Sequence, residues 1–386
     1  MIAQFNIPPT VICGAGAFSQ LAAQAQRLGL TRVLLVTDAF MVKSGLGLRA
    51  EVNLREAGIA SATFAGVQPD PSEQNVLDGL ALYRESGAQG VVAVGGGSPI
   101  DCAKVIAMLA TNPLPLRQYM GRNKVGQPCV PLIAIPTTAG TGSEVTKAAV
   151  ITDPVNDVKM LLMDPRLVPS VALIDFELTM SMPAALTAAV GVDTLTHGIE
   201  AYVSRLASPM TDPPALACIE KVGRHLETAW REPGNRDARE GMMLAATQGG
   251  MAFANSSVCL VHGMSRPVGA LFHVPHGISN AMLLPAVTRY SLPGATARYA
   301  TVARTLGWAN AAASDAAAAA ALVPGLEALN RRLEIPRLGA YPGLTESRFF
   351  QVADKMAGDA LASGSPGNNP VVPDAAAIVA LYRDAW

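Results

Sequence analysis

The sequence predicts an α/β domain built on a parallel sheet, followed by an all-α domain. Short buried-strand patterns alternate with helical patterns in the first half of the chain, and the strand signals stop after about Pro183. A chain of 386 residues, half of them apolar, is long enough for two domains. We therefore predict an N-terminal α/β domain over residues 1–182 and a helical C-terminal domain over residues 183–386.

The predicted strands of the first half are apolar almost throughout, as strands covered on both faces of a parallel sheet are. They are Arg32–Thr37, Gly90–Val94, Pro131–Ile135 and Val171–Ile174. Helical stretches such as Gln74–Ser86 lie between them, which indicates βαβ units.

The second half consists of long segments rich in alanine, leucine and methionine, separated by glycine and proline. The predicted helical segments are Ala184–Ser204, Pro214–Trp230, Asp237–Ser257, Asn280–Leu306 and Ala311–Leu333. A cleft between the two domains is the expected place for a ligand and an active site.

Charge and cysteine content exclude several classes of protein. The formal net charge is -1 and no long block of like charge occurs, so neither nucleic acid nor a membrane surface is an expected partner. Five cysteines without CxxC spacing do not indicate a disulfide framework. The N-terminus lacks a signal-peptide pattern and no apolar run reaches membrane-spanning length. We expect a cytoplasmic protein.

A glycine-rich loop follows the strand that ends at Val94. Gly96, Gly97 and Ser98 lead into a predicted helix, Pro99–Ala110, with Asp101 in its first turn. Glycine lets a backbone approach a phosphate closely, and a helix N-terminus favours an anion. The loop predicts diphosphate binding, although an ordinary strand-to-helix turn would look similar.

A second polar loop follows the strand ending at Ile135. Its hydroxyl groups belong to Thr137, Thr138, Thr141 and Ser143. Two such loops at the carboxyl ends of neighbouring strands fit the rule for ligand sites in open α/β sheets. Together they predict a dinucleotide-binding domain.

The choice of dinucleotide depends on Asp38, at the end of the first clear strand. A carboxylate there accepts hydrogen bonds from a ribose 2′-OH and repels a 2′-phosphate, which favours NAD over NADP. The alternative is a helix or turn cap. Gly14 and Gly16 begin a GxGxxG pattern, but the third position is Ser19, so a glycine-rich turn opening a helix is favoured there.

Three histidines and one aspartate of the helical half form a candidate metal site. Asp193 and His197 are four residues apart and share one helix face, and His262 and His276 are each followed by glycine. One carboxylate and three imidazoles can hold a divalent ion such as Fe²⁺ or Zn²⁺. Metal plus nicotinamide predicts polarisation of an alcohol or aldehyde oxygen and hydride transfer at the carbon.

Four ordered motifs together resemble the iron-containing (group III) alcohol dehydrogenases. They are GGGSPIDCAK from residue 95, IPTTAGTGSEVT from 135, GVDTLTHGIEAY from 191 and VHGMSRPVGALFHVPHG from 261. The resemblance extends over essentially the whole chain, and the lactaldehyde reductase (1,2-propanediol oxidoreductase) branch is the most similar.

The resemblance implies roles for individual residues. Asp193, His197, His262 and His276 match the family's metal ligands, and Phe253 matches a wall of the substrate pocket. Members are commonly homodimers or larger homo-oligomers and act on small alcohols or aldehydes. The positions implied for the cofactor are Asp38, Asp70, Gly97, Ser98, Thr137, Thr138, Thr141, Val150, Lys159 and Leu178 to Met182.

Three residues depart from the family pattern. Asp70 stands where the lactaldehyde branch has asparagine, Ala148 replaces a bulkier polar pocket residue, and Arg266 stands where relatives have a histidine. Arginine stays charged and cannot relay protons near neutral pH, so His273 is the candidate for that role, or else a surface histidine. Arg266 either binds a carboxylate or phosphonate of the substrate or ties helices together.

Several other functions share features with this prediction. Glycerol dehydrogenase-like and maleylacetate reductase-like oxidoreductases are near alternatives. A dehydroquinate synthase-like lyase would need several basic side chains converging on a phosphate or phosphonate. A non-catalytic nucleotide-binding module would not need the intact set of metal ligands.

Overall fold

The computed structural model describes residues 4–156 and 158–386. Its first part contains a six-stranded sheet in the order β1-β9-β6-β4-β2-β3, in which all pairs of neighbours run parallel. The strands of this sheet are β1 (Thr10–Cys13), β2 (Arg32–Asp38), β3 (Ala60–Val67), β4 (Gly90–Gly95), β6 (Leu132–Pro136) and β9 (Val171–Ile174).

The central strands are buried on both faces, as predicted from their continuous apolar character. Val91 and Ala93 of β4 face one hydrophobic cluster, whereas Val92 and Val94 face another. This alternation follows from the two-residue period of a strand. The helices of this part are α1 (Leu21–Arg27), α2 (Ala39–Lys43), α3 (Leu46–Glu56), α4 (Glu73–Glu85) and α5 (Gly97–Leu109).

The direction of the chain connections reverses between β2 and β4. From β2 the chain adds β3 on one side, and from β4 it adds β6 on the other side. Ligands of open α/β sheets bind outside the carboxyl ends of the strands at such a switch point. Asp38 and the Gly95–Ser98 loop end the two strands that flank it.

A second, three-stranded sheet was not predicted from the sequence. β7 and β8 form an antiparallel hairpin, and the short β5 pairs with β8 in parallel. Buried and partly exposed residues alternate along β7, so this strand does not form the continuous apolar run on which the prediction relied. The bounds are β5 (Gly121–Arg122), β7 (Ala148–Asp153) and β8 (Val158–Met163).

The second part of the chain contains only helices among its described regular elements, as predicted. Sixteen of the 20 residues of α6 are buried, which makes it an internal helix with apolar residues on every side. The helices are α6 (Ala184–Val203), α7 (Asp212–Arg231), α8 (Arg236–Asn255), α9 (Leu260–Phe272), α10 (His276–Ser291), α11 (Thr296–Thr305), α12 (Asp315–Arg332), α13 (Glu346–Gln351), α14 (Ala353–Ala362) and α15 (Ala375–Ala385).

The predicted segment Asn280–Leu306 is wrong as one helix. It spans most of α10 and all of α11, and a tight turn at Leu292–Gly294 separates the two. Pro293 lacks the N–H that a continuing helix would need. No helix within the described ranges is long and apolar enough to cross a membrane.

The chain divides into two compact units. One comprises residues 6–180, and the other comprises residues 181–386 together with Gln4 and Phe5. The domain boundary at 182/183 and a ligand cleft between the domains stay predictions.

Candidate active site

Three helices of the second unit bring the predicted metal ligands together. Asp193 and His197 lie one turn apart on α6, His262 lies in the first turn of α9, and His276 is the first residue of α10. The ligand atoms of Asp193, His262 and His276 all lie within 4.8 Å of one another. His197 joins them, with its Nε2 atom 3.9 Å from Asp193 Oδ1.

The spacing of these atoms fits one divalent ion. Asp193 Oδ1 lies 3.5 Å from His262 Nε2 and 3.9 Å from His276 Nε2. Two atoms that each bind an ion at about 2.1 Å are separated by roughly 3–4 Å. One carboxylate and three neutral imidazoles suit Fe²⁺ or Zn²⁺.

Asn280, one turn after His276 on α10, shows that the ligand atoms face a common point. Its Nδ2 atom lies 2.6 Å from Asp193 Oδ1, 3.1 Å from His262 Nε2 and 3.2 Å from His276 Nε2. One atom can be this close to all three ligand atoms only if they surround a common point. The donor set is therefore arranged as a cation requires.

Glu200, two turns after Asp193 on α6, fixes the orientation of a ligand. Its carboxylate accepts a 2.7 Å hydrogen bond from His262 Nδ1 and further bonds from the backbone N–H groups of Cys259 and Val261. A proton held on Nδ1 leaves the Nε2 lone pair directed at the site. Burial opposes the charged ring, but the charge of Glu200 and the contacts with Asp193 raise the pKa of His262 to about 9, so a bound ion would have to displace a proton from Nε2.

The cluster is closed on most sides and open at His276. The side chains of Asp193, His197 and His262 are at most 6% exposed, whereas that of His276 is 41% exposed. Burial alone would raise the pKa of Asp193, but the charges of His197, His276 and His262 lower it well below its usual range. The anionic carboxylate is thus favoured, and the cluster is exposed on the His276 side.

The two cofactor loops lie side by side at the carboxyl ends of β4 and β6, as predicted. Gly95 and Pro136 are register partners, and Thr137 N–H donates to Gly95 O at 3.0 Å. A Cβ atom on Gly97 would lie 2.9 Å from Thr141 Cγ2, and one on Gly96 would lie 3.3 Å from Thr138 Oγ1. The close approach of the loops therefore leaves no room for a side chain at Gly97 and little room at Gly96.

The α5 N-terminus and Thr137 provide polar groups for a dinucleotide. Gly96 precedes α5 without any side chain to cap it, so the N–H groups of Gly97 and Ser98 remain available to an anion. Thr137 Oγ1 is buried and has no hydrogen-bond partner within the described ranges. These groups fit a bound diphosphate.

Asp101 and Lys104 of α5 hold the cofactor loops in place. Asp101 accepts from Ser143 Oγ at 2.5 Å and from Val150 N–H at 2.9 Å. Lys104 Nζ is buried and donates to Ser143, to Thr146 Oγ1 and to the carbonyl oxygen of Ala148. Burial lowers the pKa of Lys104 to about 8 against the opposing charges of Asp101 and Glu144.

The remaining predicted cofactor residues occupy varied positions. Asp38 caps α2, with Oδ1 accepting from Met41 N–H at 2.8 Å, so the alternative of a helix cap is observed. Asp70 adopts a left-handed conformation and pairs with Lys159 at 2.8 Å. Leu178 and Met182 are buried, and the former belongs to a core cluster of the first unit.

The residues predicted to bind the substrate or relay its proton differ in how they relate to the ligand cluster. Phe253 of α8 stacks on the ring of His197, with the ring centroids 4.3 Å apart. Arg266 lies one turn after His262 on α9, and its Nη1 donates to Ser365 Oγ at 3.0 Å. His273 is exposed and left-handed at the end of α9, three residues before His276.

Sequence reasoning missed Glu200, Asn280 and Lys104. Helical spacing carries the signal for two of them, because Glu200 lies seven residues after Asp193 and Asn280 lies four residues after His276. The signal for Lys104 is a lysine three residues after Asp101 in a helix that is otherwise buried.

The comparisons with known proteins agree with this arrangement. One family model, described as iron-containing alcohol dehydrogenase, matches residues 8–176. A second, described as the C-terminal part of the Fe-containing alcohol dehydrogenase family, matches residues 187–386. The chain belongs to the iron-containing alcohol dehydrogenase family.

Individual relatives of this iron-containing alcohol dehydrogenase match over nearly their whole length. The chain is 38% identical to NAD-dependent methanol dehydrogenase of Bacillus methanolicus, covering 94% of this chain and 95% of that protein. It is also 38% identical to lactaldehyde reductase of Escherichia coli strain K12, with 97% of both covered. A crystal structure of 1,3-propanediol oxidoreductase superposes with a TM-score of 0.97 at 38% identity, and both chains are fully covered.

Family, relatives and ligand cluster together define the general activity. The protein is an NAD-dependent, iron-type alcohol dehydrogenase that interconverts small alcohols and aldehydes. The lyase and the non-catalytic module considered from the sequence have no comparable support from the matched proteins.

Proposed function

We propose that this enzyme oxidises small primary alcohols or diols, and reduces the matching aldehydes, at the cluster of Asp193, His197, His262 and His276. The convergence of three ligand atoms on Asn280 Nδ2 is the observation that carries this proposal. A divalent ion bound there would polarise the substrate oxygen and favour its deprotonated form. The predicted homo-oligomeric assembly and cytoplasmic location belong to the same proposal.

We assign a separate role in this reaction to each group of residues. Glu200 keeps His262 in the tautomer that binds a cation, and Phe253 holds the His197 ring by stacking. The loops at Gly97 and Thr137 would hold the diphosphate of NAD, which when bound supplies the nicotinamide that exchanges hydride with the substrate. His273 stays the candidate for moving the hydroxyl proton to solvent, because it is exposed and close in sequence to His276.

Metal removal tests the proposal directly. We expect protein loaded anaerobically with Fe²⁺ to form NADH from 1-propanol or 1,2-propanediol, because Lewis-acid polarisation lowers the barrier. Chelation should lower the rate at least about 100-fold, and Fe²⁺ should restore it. NADH absorbance and metal analysis of the same samples measure both quantities. Equal rates before and after verified metal removal would contradict the proposal.

Cofactor choice depends on the charge of Asp38. The change Asp38→Asn keeps an oxygen that can cap α2 but removes the negative charge beside the proposed ribose site. We expect kcat/KM with NADP relative to NAD to rise about tenfold, because a 2′-phosphate is no longer repelled. Asp78→Asn, on the exposed face of α4, is the matched control. An unchanged ratio would place the ribose elsewhere.

A further inference from the structure

Arg266 is a cation that forms no salt bridge within residues 4–156 and 158–386. The side chain is partly buried, and its guanidinium makes one hydrogen bond, from Nη1 to Ser365 Oγ. Salt bridges elsewhere in the two described ranges pair arginines with carboxylates, but none involves Arg266. A guanidinium carries five N–H donors, so most of its capacity remains available.

Glu200, the acid whose charge acts on Arg266, accepts its hydrogen bonds from other groups. Glu200 accepts from His262 Nδ1 and from the backbone N–H groups of Cys259 and Val261, which uses both of its oxygens. Burial lowers the pKa of Arg266, and the charge of Glu200 only opposes this shift. Arg266 is therefore a partly desolvated charge whose pairing with a ligand anion would be strong.

The position of Arg266 relates it to the metal ligands. Arg266 and His262 lie four residues apart on α9, so they share one face with Cβ atoms about 6 Å apart. His276 is the ligand on the open side of the same cluster. Arg266 therefore stands one helical turn beyond the cluster along the same face of α9.

The surroundings hold the guanidinium in a fixed direction. A Cβ atom on Gly263 would lie 2.6 Å from Pro366 Cγ, so α9 sits directly against the turn Ser365–Asn368. This turn presents Ser365 Oγ to Arg266. The arginine is therefore positioned before any ligand arrives, which reduces the entropy lost on binding.

We propose that Arg266 binds an anionic group at the far end of the substrate, so that the enzyme prefers short ω-hydroxycarboxylates and their semialdehydes over neutral alcohols. The inference rests on the proposed function, because it assumes that the substrate hydroxyl lies at the metal cluster. One helical turn separates Arg266 from the ligand His262, which favours a short substrate over a long one. The guanidinium fork matches the two oxygens of a carboxylate, and a sulfonate shares this chemistry.

A matched set of substrates tests the proposal on the Fe²⁺-loaded, full-length enzyme. Oxidation of 4-hydroxybutyrate, 3-hydroxypropane-1-sulfonate and 1-butanol by NAD would be compared in the wild type, Arg266→Gln and Arg266→Lys. We expect wild type to favour 4-hydroxybutyrate over 1-butanol in kcat/KM. This ratio should fall about 10- to 100-fold in Arg266→Gln, because a charge-assisted hydrogen bond is lost, and less in Arg266→Lys. The sulfonate reports whether the anion or the carboxylate shape is recognised.

A binding measurement separates this inference from the proposed function. Calorimetry of butyrate with the metal-loaded protein should show at least about tenfold weaker binding in Arg266→Gln, and no change in the control Arg331→Gln on the exposed end of α12. Arginine-dependent butyrate binding without oxidation of any alcohol would overturn the proposed function alone. Alcohol oxidation with the same substrate ratio in wild type and Arg266→Gln would overturn this inference alone.

Discussion

Replacing Asp193 with asparagine should abolish nearly all alcohol oxidation while leaving the protein folded. The change removes the one negative charge among the four ligands but keeps the side-chain shape. Lewis-acid polarisation contributes several kcal/mol, and at about 1.4 kcal/mol per factor of ten its loss corresponds to about a 1,000-fold lower kcat/KM. Steady-state rates, iron content and circular dichroism on the same preparation measure the three quantities.

The control for this change is the same substitution at an exposed position of the same unit. Asp237→Asn, in the first turn of α8, should retain wild-type rate and iron content. Wild-type activity with stoichiometric iron in Asp193→Asn would show that the ion does not need this carboxylate, and the assigned ligand set would then be wrong.

Replacing Glu200 with glutamine should weaken metal binding about 10- to 100-fold. The carboxylate accepts three hydrogen bonds, one at Oε1 from Val261 N–H and two at Oε2 from Cys259 N–H and His262 Nδ1. A glutamine has only one oxygen, so its NH₂ group must face at least one of these donors. If it faces His262, the tautomer with the proton on Nε2 is favoured, and that nitrogen no longer has a lone pair for the ion.

Competition with a chelator measures this affinity independently of turnover. The matched control is Thr196→Val, a buried residue of the same helix whose hydroxyl donates only to the Val192 carbonyl oxygen one turn earlier. Its metal affinity should equal that of wild type. Thermal unfolding of the metal-free variants separates a local effect on His262 from a general loss of stability. Equal affinities in Glu200→Gln and wild type would exclude the orienting role.

The predictable features of the fold were those with a strong local pattern. β4 and β6 are apolar at every position, and the glycine and threonine residues that follow them predicted two adjacent loops. β3 was missed because Ala60–Val67 is rich in small residues and partly exposed at the edge of the sheet. The hairpin of β7 and β8 was missed because buried residues alternate with partly exposed ones along both strands, so neither strand is a continuous apolar run.

The site was predictable where spacing within one helix indicates a shared face. Asp193 and His197 stood out because they are four residues apart. His262 and His276 stood out as histidines of the helical half that are followed by glycine, and the resemblance matched all four to the family's ligands. Glu200 contacts His262 across 62 residues of sequence, so its role depends on how α6 and α9 pack together. The lack of a salt bridge at Arg266 likewise could not be predicted from the sequence, because it depends on which carboxylates the fold brings near its guanidinium.

The four proposed metal ligands and Arg266 belong to the second unit, whereas Asp38 and the glycine and threonine loops belong to the first. Apart from Ala148, the residues proposed to bind the alcohol and those proposed to bind the dinucleotide are therefore encoded in separate stretches of the gene. Mutation or recombination can alter one specificity while the other is inherited intact. A family built this way can acquire new alcohols without re-inventing its redox partner, and a laboratory can exploit the same modularity.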